Sequence, residues 1–404
     1  MTAAGTGVLD RLKQRPPAGP PTATRRRRVT AIAVVAVFAA LPFAGLTVPW
    51  VLPGPVDVLN STGTLDVLGL GFVFAAVALG YDVLFGFTGL LSFGQVLYFA
   101  FGAYGLDITL SAWNWPLLPA VLATLAAGLV LALALGATSL RGRGIAFAMV
   151  TLAFAQAGYY LIEDNPHNLT GGDTGLVMST SRLPAMLVGV ASTRNLYWLA
   201  LAFLVVVYGV VWLATRSRAG AVWLAIRENE RRAEVLGFRP LPFKLASFTV
   251  SSLIATAAGM VYLLLVGTAA PDSVASTTVT VSILVMVVLG GAGTRWGAVA
   301  GAMVYVYLQQ YLLKVAAQPS FATWPAAFRV PLSQPDFLLG VIFVLFILFV
   351  PGGLSGLSGL SGLSGLSGLS AVKGLSAVNG LRRLRELARR IARTTTGRSR
   401  KGTR

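Results

Sequence analysis

The chain has 404 residues, of which 55% are hydrophobic and only 11% are charged, whereas about a quarter of the residues of a soluble globular domain are charged. This composition excludes an ordinary soluble domain, and several apolar runs reach the roughly 20 residues that cross a bilayer core. The absence of cysteine excludes disulfides and cysteine-ligated metals, and the single histidine, His167, excludes a multi-histidine metal site.

The apolar runs predict an all-α polytopic transmembrane helical bundle of about 8–10 spans, in which some helices would be re-entrant. The predicted spans, in chain order, are about 29–51, 65–87, 90–110, 117–139, 144–162, 194–215, 242–267, 278–290, 297–316 and 336–351. With the N-terminus inside, all but four of the 32 basic residues fall on inner segments, as the positive-inside bias requires. The net charge of +18 therefore orients the protein, with both termini cytoplasmic, and does not require a nucleic acid partner.

Composition divides the chain into four parts. Residues 1–28 are polar and arginine-rich, which predicts a disordered basic cytoplasmic arm. The membrane domain covers 29–352 and includes a charged cytoplasmic loop at 216–244. Repeated Gly-Leu-Ser triplets make 353–380 a low-complexity linker. The tail at 381–404 has an apolar stripe among arginines, so either a helix bound to anionic lipid or a solvated tail fits it.

The stretch from 80 to 110 combines glycines with polar side chains inside apolar sequence. Glycines allow helices to approach closely or to break, and carboxylates inside a span are costly, so both are candidates for a path through the bundle. The alternative is that the glycines serve packing and that Asp82 reaches water from a helix end. Candidate path residues are Asp82, Thr88, Gly89, Ser92, Gln95 and, in the span at 144–162, Gln156, which could instead bond to a neighbouring helix.

The outer loop EDNPHNLTGGDTGL follows the span at 144–162. Gly171, Gly172 and Gly175 permit positive φ, so their backbone N–H groups could point at an anionic group such as a carboxylate. A simple turn between two spans is the alternative. His167 is expected to be an exposed loop residue.

A second glycine cluster occurs at the end of the span at 278–290. No Gly-Lys-Ser/Thr follows at the required spacing, so the cluster is not a phosphate loop. The sequence predicts a break between two short helices at the inner face. Its structural glycines are Gly290, Gly291, Gly293 and Gly297.

The most charged helical stretch of the membrane domain lies between Ser217 and Lys244. An apolar stripe of Val222, Ile226, Ala233 and Leu236 or Gly237 at helical spacing predicts one short amphipathic helix docked on the bundle. Glu228 and Arg232 stand at i,i+4, which supports a helix, and Gly237 should end it. An ordinary solvated loop helix is the alternative.

Several motifs resemble one known family. They are GFTGLLSFGQVLYFAFGAYG, RGRGIAFAMVTLAF, TGGDTG, AIRENERRAEVLGF and VLGGAGTRWG. In this order they resemble the permeases of branched-chain amino acid importers of the ATP-binding-cassette class, and among them the M-type subunit, over about 65–354. The chain departs from the family pattern at Gln95, where histidine is common, and at Ala298, where proline is usual.

The resemblance implies a permease subunit for branched-chain or related small amino acids that binds no cofactor, has no catalytic or metal-binding residue and leaves ATP hydrolysis to partner subunits. It implies a second homologous permease, two cytoplasmic ATP-binding subunits and an external solute-binding protein as partners, in a bacterial plasma (inner) membrane. It also implies that Thr170, Gly171, Gly172 and Asp173 belong to the translocation path. The residues expected to couple to the ATPase are Arg227, Glu228, Glu230, Arg231, Ala233, Glu234 and Gly237.

Two alternatives stay open from the sequence. The same architecture could import urea, short amides or another small solute. An ATP-independent secondary transporter would require internal inverted repeats and a set of ion-coupling carboxylates, and the sequence has no convincing repeat.

Overall fold

A computed structural model describes residues 35–43, 61–179, 184, 192–316, 335–349 and 353–354. The predicted basic arm, the tail and nearly all of the Gly-Leu-Ser linker lie outside these residues. So does most of the predicted first span.

The described part of the chain is almost entirely helical. The helices are α1 Thr62–Asp82, α2 Gln95–Ser111, α3 Leu117–Ser139, α4 Ile145–Glu163, α5 Thr193–Arg216, α6 Arg218–Glu228, α7 Glu230–Val235, α8 Pro240–Val266, α9 Pro271–Val274, α10 Thr277–Gly290, α11 Arg295–Ala316 and α12 Pro335–Phe349. A π-helical turn at Val83–Phe87 continues α1, and 3₁₀ turns occupy Leu41–Phe43, Pro166–Asn168 and Gly172–Thr174. The only sheet in the described ranges pairs β1 Leu176–Val177 with β2 Thr268–Ala269.

Six helical segments of the described residues are long and apolar enough to cross a membrane. They are Thr62–Phe87, Leu117–Ser139, Ile145–Glu163, Thr193–Arg216, Pro240–Val266 and Pro271–Gly290. The predicted all-α polytopic bundle is therefore confirmed.

Two of the predicted spans differ from the observed helices. The span predicted at 90–110 begins instead at Gln95, because residues 88–94 are not helical. Helix α2 therefore has only 17 residues. In α11, Gln309, Gln310 and Lys314 lower the mean hydropathy of a helix that is otherwise long enough. Both helices pack against spans that do meet the length and composition of a crossing helix.

Helix α1 lies at the centre of the bundle. It contacts α5, α8, α10 and α11. In its most apolar stretch of 18 residues 78% is buried, whereas in the corresponding stretches of α3 and α4 only 22% is buried. A helix that is apolar on all sides is suited to such a position, because every face meets another helix. Helices α3 and α4 are consequently peripheral among the described residues.

Helices α2 and α8 approach each other more closely than ordinary side chains allow. A Cβ atom added at Gly102 would overlap the Thr256 carbonyl, and one added at Gly259 would overlap the Phe99 carbonyl. Small residues at such crossings let two backbones come into direct van der Waals contact. This contact holds α2 in the bundle although the helix is short.

Two connecting segments are joined by the short β ladder. Leu176 pairs with Ala269 and Val177 with Thr268 in antiparallel register. The Tyr104 hydroxyl donates a hydrogen bond of 2.8 Å to the Ala269 carbonyl oxygen. The connections after α4 and after α8 are thereby fixed to each other and to α2.

Candidate functional site

The charged loop between α5 and α8 forms two helices, not the single helix predicted. Asn229 adopts an extended conformation (φ −162°, ψ 102°) between α6 and α7. Its side chain accepts a hydrogen bond of 3.0 Å from the Arg232 backbone N–H, as a helix N-cap does. Glu228 and Arg232 therefore lie on different helices, so the prediction that their i,i+4 spacing supports a single helix was wrong.

The apolar stripe of this loop docks as predicted at three of its positions. Val222, Ile226 and Ala233 are buried together, with Phe243 of α8 packed against them. Leu236 is 68% exposed, so it does not belong to the stripe. Helix α7 ends just before Gly237, which has a φ of +88° and is also exposed.

The charged residues of the loop point in different directions. Arg227, Glu228, Arg231 and Glu234 are exposed. The Glu230 carboxylate forms an ion pair of 2.7 Å with the Lys244 ammonium group in the second turn of α8. Arg227 donates from Nη1 to the Gly86 carbonyl oxygen within the π-helical turn. The loop thus presents one charged surface outward while two of its charges bind the bundle.

The irregular segment from Thr88 to Gly94 lies next to the charged loop, where Gly89 is close to Arg227. The Thr88 hydroxyl donates 3.0 Å to the Val83 carbonyl oxygen, and Phe93 N–H donates 3.1 Å to Thr151 Oγ1 of α4. Ser92 is buried and its Oγ accepts from Gly94 N–H at 3.2 Å. This segment is therefore held by side-chain hydrogen bonds where helical backbone bonds are missing.

Gln95 begins α2 with a side chain that is only 1% exposed. Neither its Oε1 nor its Nε2 has a hydrogen-bond partner among the residues that the structure describes. A buried amide of this kind is costly unless something outside the chain binds it.

A cavity of about 450 Å³ connects these elements. Thr88 and Gly89 of the irregular segment line it, together with Arg143 of the α3–α4 connection and with Arg227 and Lys244. Its wall thus contains three cationic side chains and one carboxylate, that of Glu230.

The predicted path residues do not form a single cluster. Helix α4 has 19 residues, so its two ends are about 28 Å apart. Its N-terminal turn lines the cavity, whereas the Thr170–Asp173 segment follows its C-terminus. Between them, Gln156 donates a hydrogen bond to Thr277 of α10, which is the helix-bonding alternative for this residue.

The glycine loop after α4 is closed by one asparagine. Asn165 Oδ1 accepts from the backbone N–H of Thr170 at 2.9 Å and of Gly171 at 3.0 Å, and from Thr170 Oγ1 at 3.0 Å. Gly171 and Gly172 do adopt positive φ. Two of the glycine amides expected to face an anionic group are nevertheless bound within the chain, that of Gly171 to Asn165 and that of Gly175 to the Gly172 carbonyl oxygen at 3.1 Å. Asp173 and His167 are exposed.

Replacing Asn165 with alanine is expected to loosen this loop, because the Thr170 and Gly171 amides lose their acceptor and each such bond is worth about 1 kcal/mol. The Thr170 hydroxyl keeps the Ile162 carbonyl oxygen as acceptor at 2.7 Å. Hydrogen exchange at the Thr170 and Gly171 amides should accelerate about tenfold or more. The Asn165→Asp variant keeps the acceptor oxygen and serves as the control. Equal protection in the alanine variant would contradict the assigned role.

The second glycine cluster joins α10 to α11. Gly290 and Gly297 meet where the two helices cross, and Gly291 and Gly293 adopt positive φ in the turn between them. Gly293 N–H donates 2.7 Å to Oδ1 of Asp82. Asp82 is fully buried, so it does not reach water from its helix end.

Sequence reasoning missed the contacts that join distant segments. Asp82 and Gly293 are 211 residues apart, and Arg227 and Gly86 are 141 apart. No periodicity in the sequence reports such pairs. Asn229 had a local signal, because asparagine before a charged helical turn is a favoured N-cap.

Comparison with known proteins decides the family. The family described as "Branched-chain amino acid transport system / permease component" matches residues 63–350. The chain belongs to this permease family. The match runs from α1 to the end of α12 and confirms the resemblance carried by the motifs.

Two curated relatives of this permease family are similar to the chain. Both are named "High-affinity branched-chain amino acid transport system permease protein LivM", one from Escherichia coli (strain K12) and one from Salmonella typhimurium (strain LT2). Each is 29% identical over 282 residues, which cover 62% of this chain and 64% of the relative. The chain thus spans less than two thirds of the length of these relatives. No solved structure matches the chain.

Proposed function

We propose that the chain is the membrane-spanning permease subunit of an ATP-binding-cassette importer for branched-chain or related small amino acids. Family membership and the names of the two relatives support the cargo class. The subunit works in a bacterial plasma membrane, crosses it several times and carries out no ATP hydrolysis itself. Its partners are a second homologous permease, two cytoplasmic ATP-binding subunits and an external solute-binding protein.

The observation that carries this proposal is the docked, charged loop α6–α7. Its apolar side is fixed to α8 through Val222, Ile226 and Ala233. The exposed charges of Glu228, Arg231 and Glu234 then remain available to a cytoplasmic partner. A self-contained transporter has no use for such a surface, whereas an importer driven by separate ATP-binding subunits requires one.

In this mechanism, closure of the ATP-binding subunits moves α6 and α7. The loop lines the cavity together with Thr88 and Gly89, so its displacement changes the inner end of the path. Along this path Ser92 and Gln95 come next, and both are buried within the bundle. Gln156 and the loop at 170–173 lie nearer the opposite end of α4.

Purification of the tagged full chain in mild detergent tests the proposal. We expect two ATP-binding subunits and a second, similar permease to co-purify, and the reconstituted complex to take up labelled leucine, isoleucine or valine only with ATP. A complex whose ATP-binding subunits cannot hydrolyse ATP is the control. Uptake by the chain alone without ATP would overturn the proposal in favour of a secondary transporter, and uptake of urea or short amides alone would overturn the cargo class.

A further inference from the structure

The side chain of Arg227 reaches from the charged loop to the bundle, although the residue as a whole is exposed. Its Nη1 donates to the carbonyl oxygen of Gly86, which lies within the π-helical turn after α1. Its stem runs over Gly89, where an added Cβ atom would lie 3.1 Å from Arg227 Cγ. A Cβ atom added at Gly293 would lie 2.8 Å from Arg227 Nη1. Arg227 therefore fills a notch whose walls are backbone, and which exists because three glycines have no side chains.

A second contact crosses the same notch. Oδ1 of the buried Asp82 accepts from Gly293 N–H at 2.7 Å. A Cβ atom at Gly86 would lie 2.7 Å from the Asp82 carboxyl carbon and would overlap Gly293 N. The end of α1 and the α10–α11 turn are thus bonded to each other where Arg227 inserts. Three segments that are far apart in sequence meet at one point.

The structure assigns Arg227 as a positioning residue that latches the charged loop to the π-helical turn Val83–Phe87 and to the α10–α11 turn. Through this latch, movement of α6 displaces both irregular segments together, and the guanidinium transmits it. The inference rests on the proposed function in one respect, namely that a partner subunit moves the loop. It adds to Arg227, an exposed residue of the charged loop, a contact within the chain.

Arginine is suited to this role because of its geometry. The planar guanidinium holds several donors in a fixed orientation, so one end can bond to a carbonyl while its charge lies close to a carboxylate. Lysine offers one flexible ammonium group and should preserve the contact only in part.

The chain contains no cysteine, so pairs of spin labels can be introduced without removing native thiols. Leu224 of α6 and Val304 of α11 are 42% and 45% exposed and are suitable for Leu224→Cys and Val304→Cys. Their distance distribution in the full chain reports whether the loop and α11 move as one body. In Arg227→Met this distribution should broaden about twofold, and in Arg227→Lys by less, because released segments sample more arrangements.

A second readout uses the assembled importer. Arg227→Met should lower uptake per ATP hydrolysed about tenfold, while the amount of co-purified ATP-binding subunits stays at the wild-type level. Arg218→Met removes a charge from the same helix at an exposed position and should leave both readouts unchanged. A narrow distance distribution in Arg227→Met overturns the latch, and so does a loss of the ATP-binding subunits, which would make Arg227 a partner contact.

Failure of the proposed function would look different. If the wild-type chain captures no ATP-binding subunit, the importer proposal is overturned, yet the distance measurement on the chain alone still tests the latch. The two results are therefore independent.

Discussion

Replacing Gly259 with alanine is expected to destabilise the bundle strongly, although the change adds only one methyl group. The added carbon overlaps the Phe99 carbonyl oxygen and lies 3.0 Å from Ala103 N, both of which are backbone atoms of α2. No rotamer change can relieve a clash with backbone, so the two helices must separate. Overpacking commonly costs about 1–3 kcal/mol, and we expect about 3 kcal/mol or more for this variant.

Thermal unfolding of the purified variant in detergent, followed by intrinsic fluorescence, measures this loss. Gly209→Ala is the matched control, because Gly209 also lies within a transmembrane helix but an added Cβ atom meets nothing within 4 Å. This control should unfold at the wild-type temperature or slightly above it. An equal drop in both variants would show that the α2–α8 contact is not the cause.

The second large effect is expected at the Glu230–Lys244 ion pair. The Lys244 side chain is only 11% exposed and that of Glu230 is 33% exposed. Glu230→Gln leaves an ammonium group buried without its counter-charge, which costs about 3–5 kcal/mol in a fully buried pair. We expect about 2 kcal/mol for this pair, because water still reaches Glu230.

A double-mutant cycle separates this internal role from a partner-facing role. Glu230→Gln combined with Lys244→Met removes both charges and should recover most of the lost stability, since no buried charge is left unpaired. Thermal unfolding and ATP-driven uptake are compared across the four proteins. Additive losses of stability would contradict the internal pairing, and recovered stability without recovered uptake would place Glu230 at the partner surface as well.

The membrane spans were predictable because their signal is local. The span predicted at 117–139 coincides with α3, since Pro116 precedes the apolar run and Arg141 follows it. Bilayer thickness imposes a length on each run, and that length can be read without knowing any tertiary contact. The break at residues 88–94 was harder to place, because Leu90, Leu91 and Phe93 make this segment apolar enough to be assigned to a span.

The candidate site was predictable only in part, for the same physical reason. The apolar stripe Val222, Ile226 and Ala233 follows from helical spacing. The spacing could not show that Asn229 interrupts the helix, nor that Arg227 and Glu230 turn back toward the bundle. Those directions depend on segments brought close by folding. The roles of these residues in transport remain predictions.

The π-helical turn Val83–Phe87 restricts which single-residue deletions the fold tolerates. A π turn holds more residues than an α turn, so a deletion of one codon within it would allow ordinary α-helical bonding. Each α-helical residue rotates the chain by about 100°, so residues 88–94 would turn relative to α1, and the Phe93 N–H group would no longer face Thr151. A deletion that improves the local helix would therefore break the contact of this segment with α4.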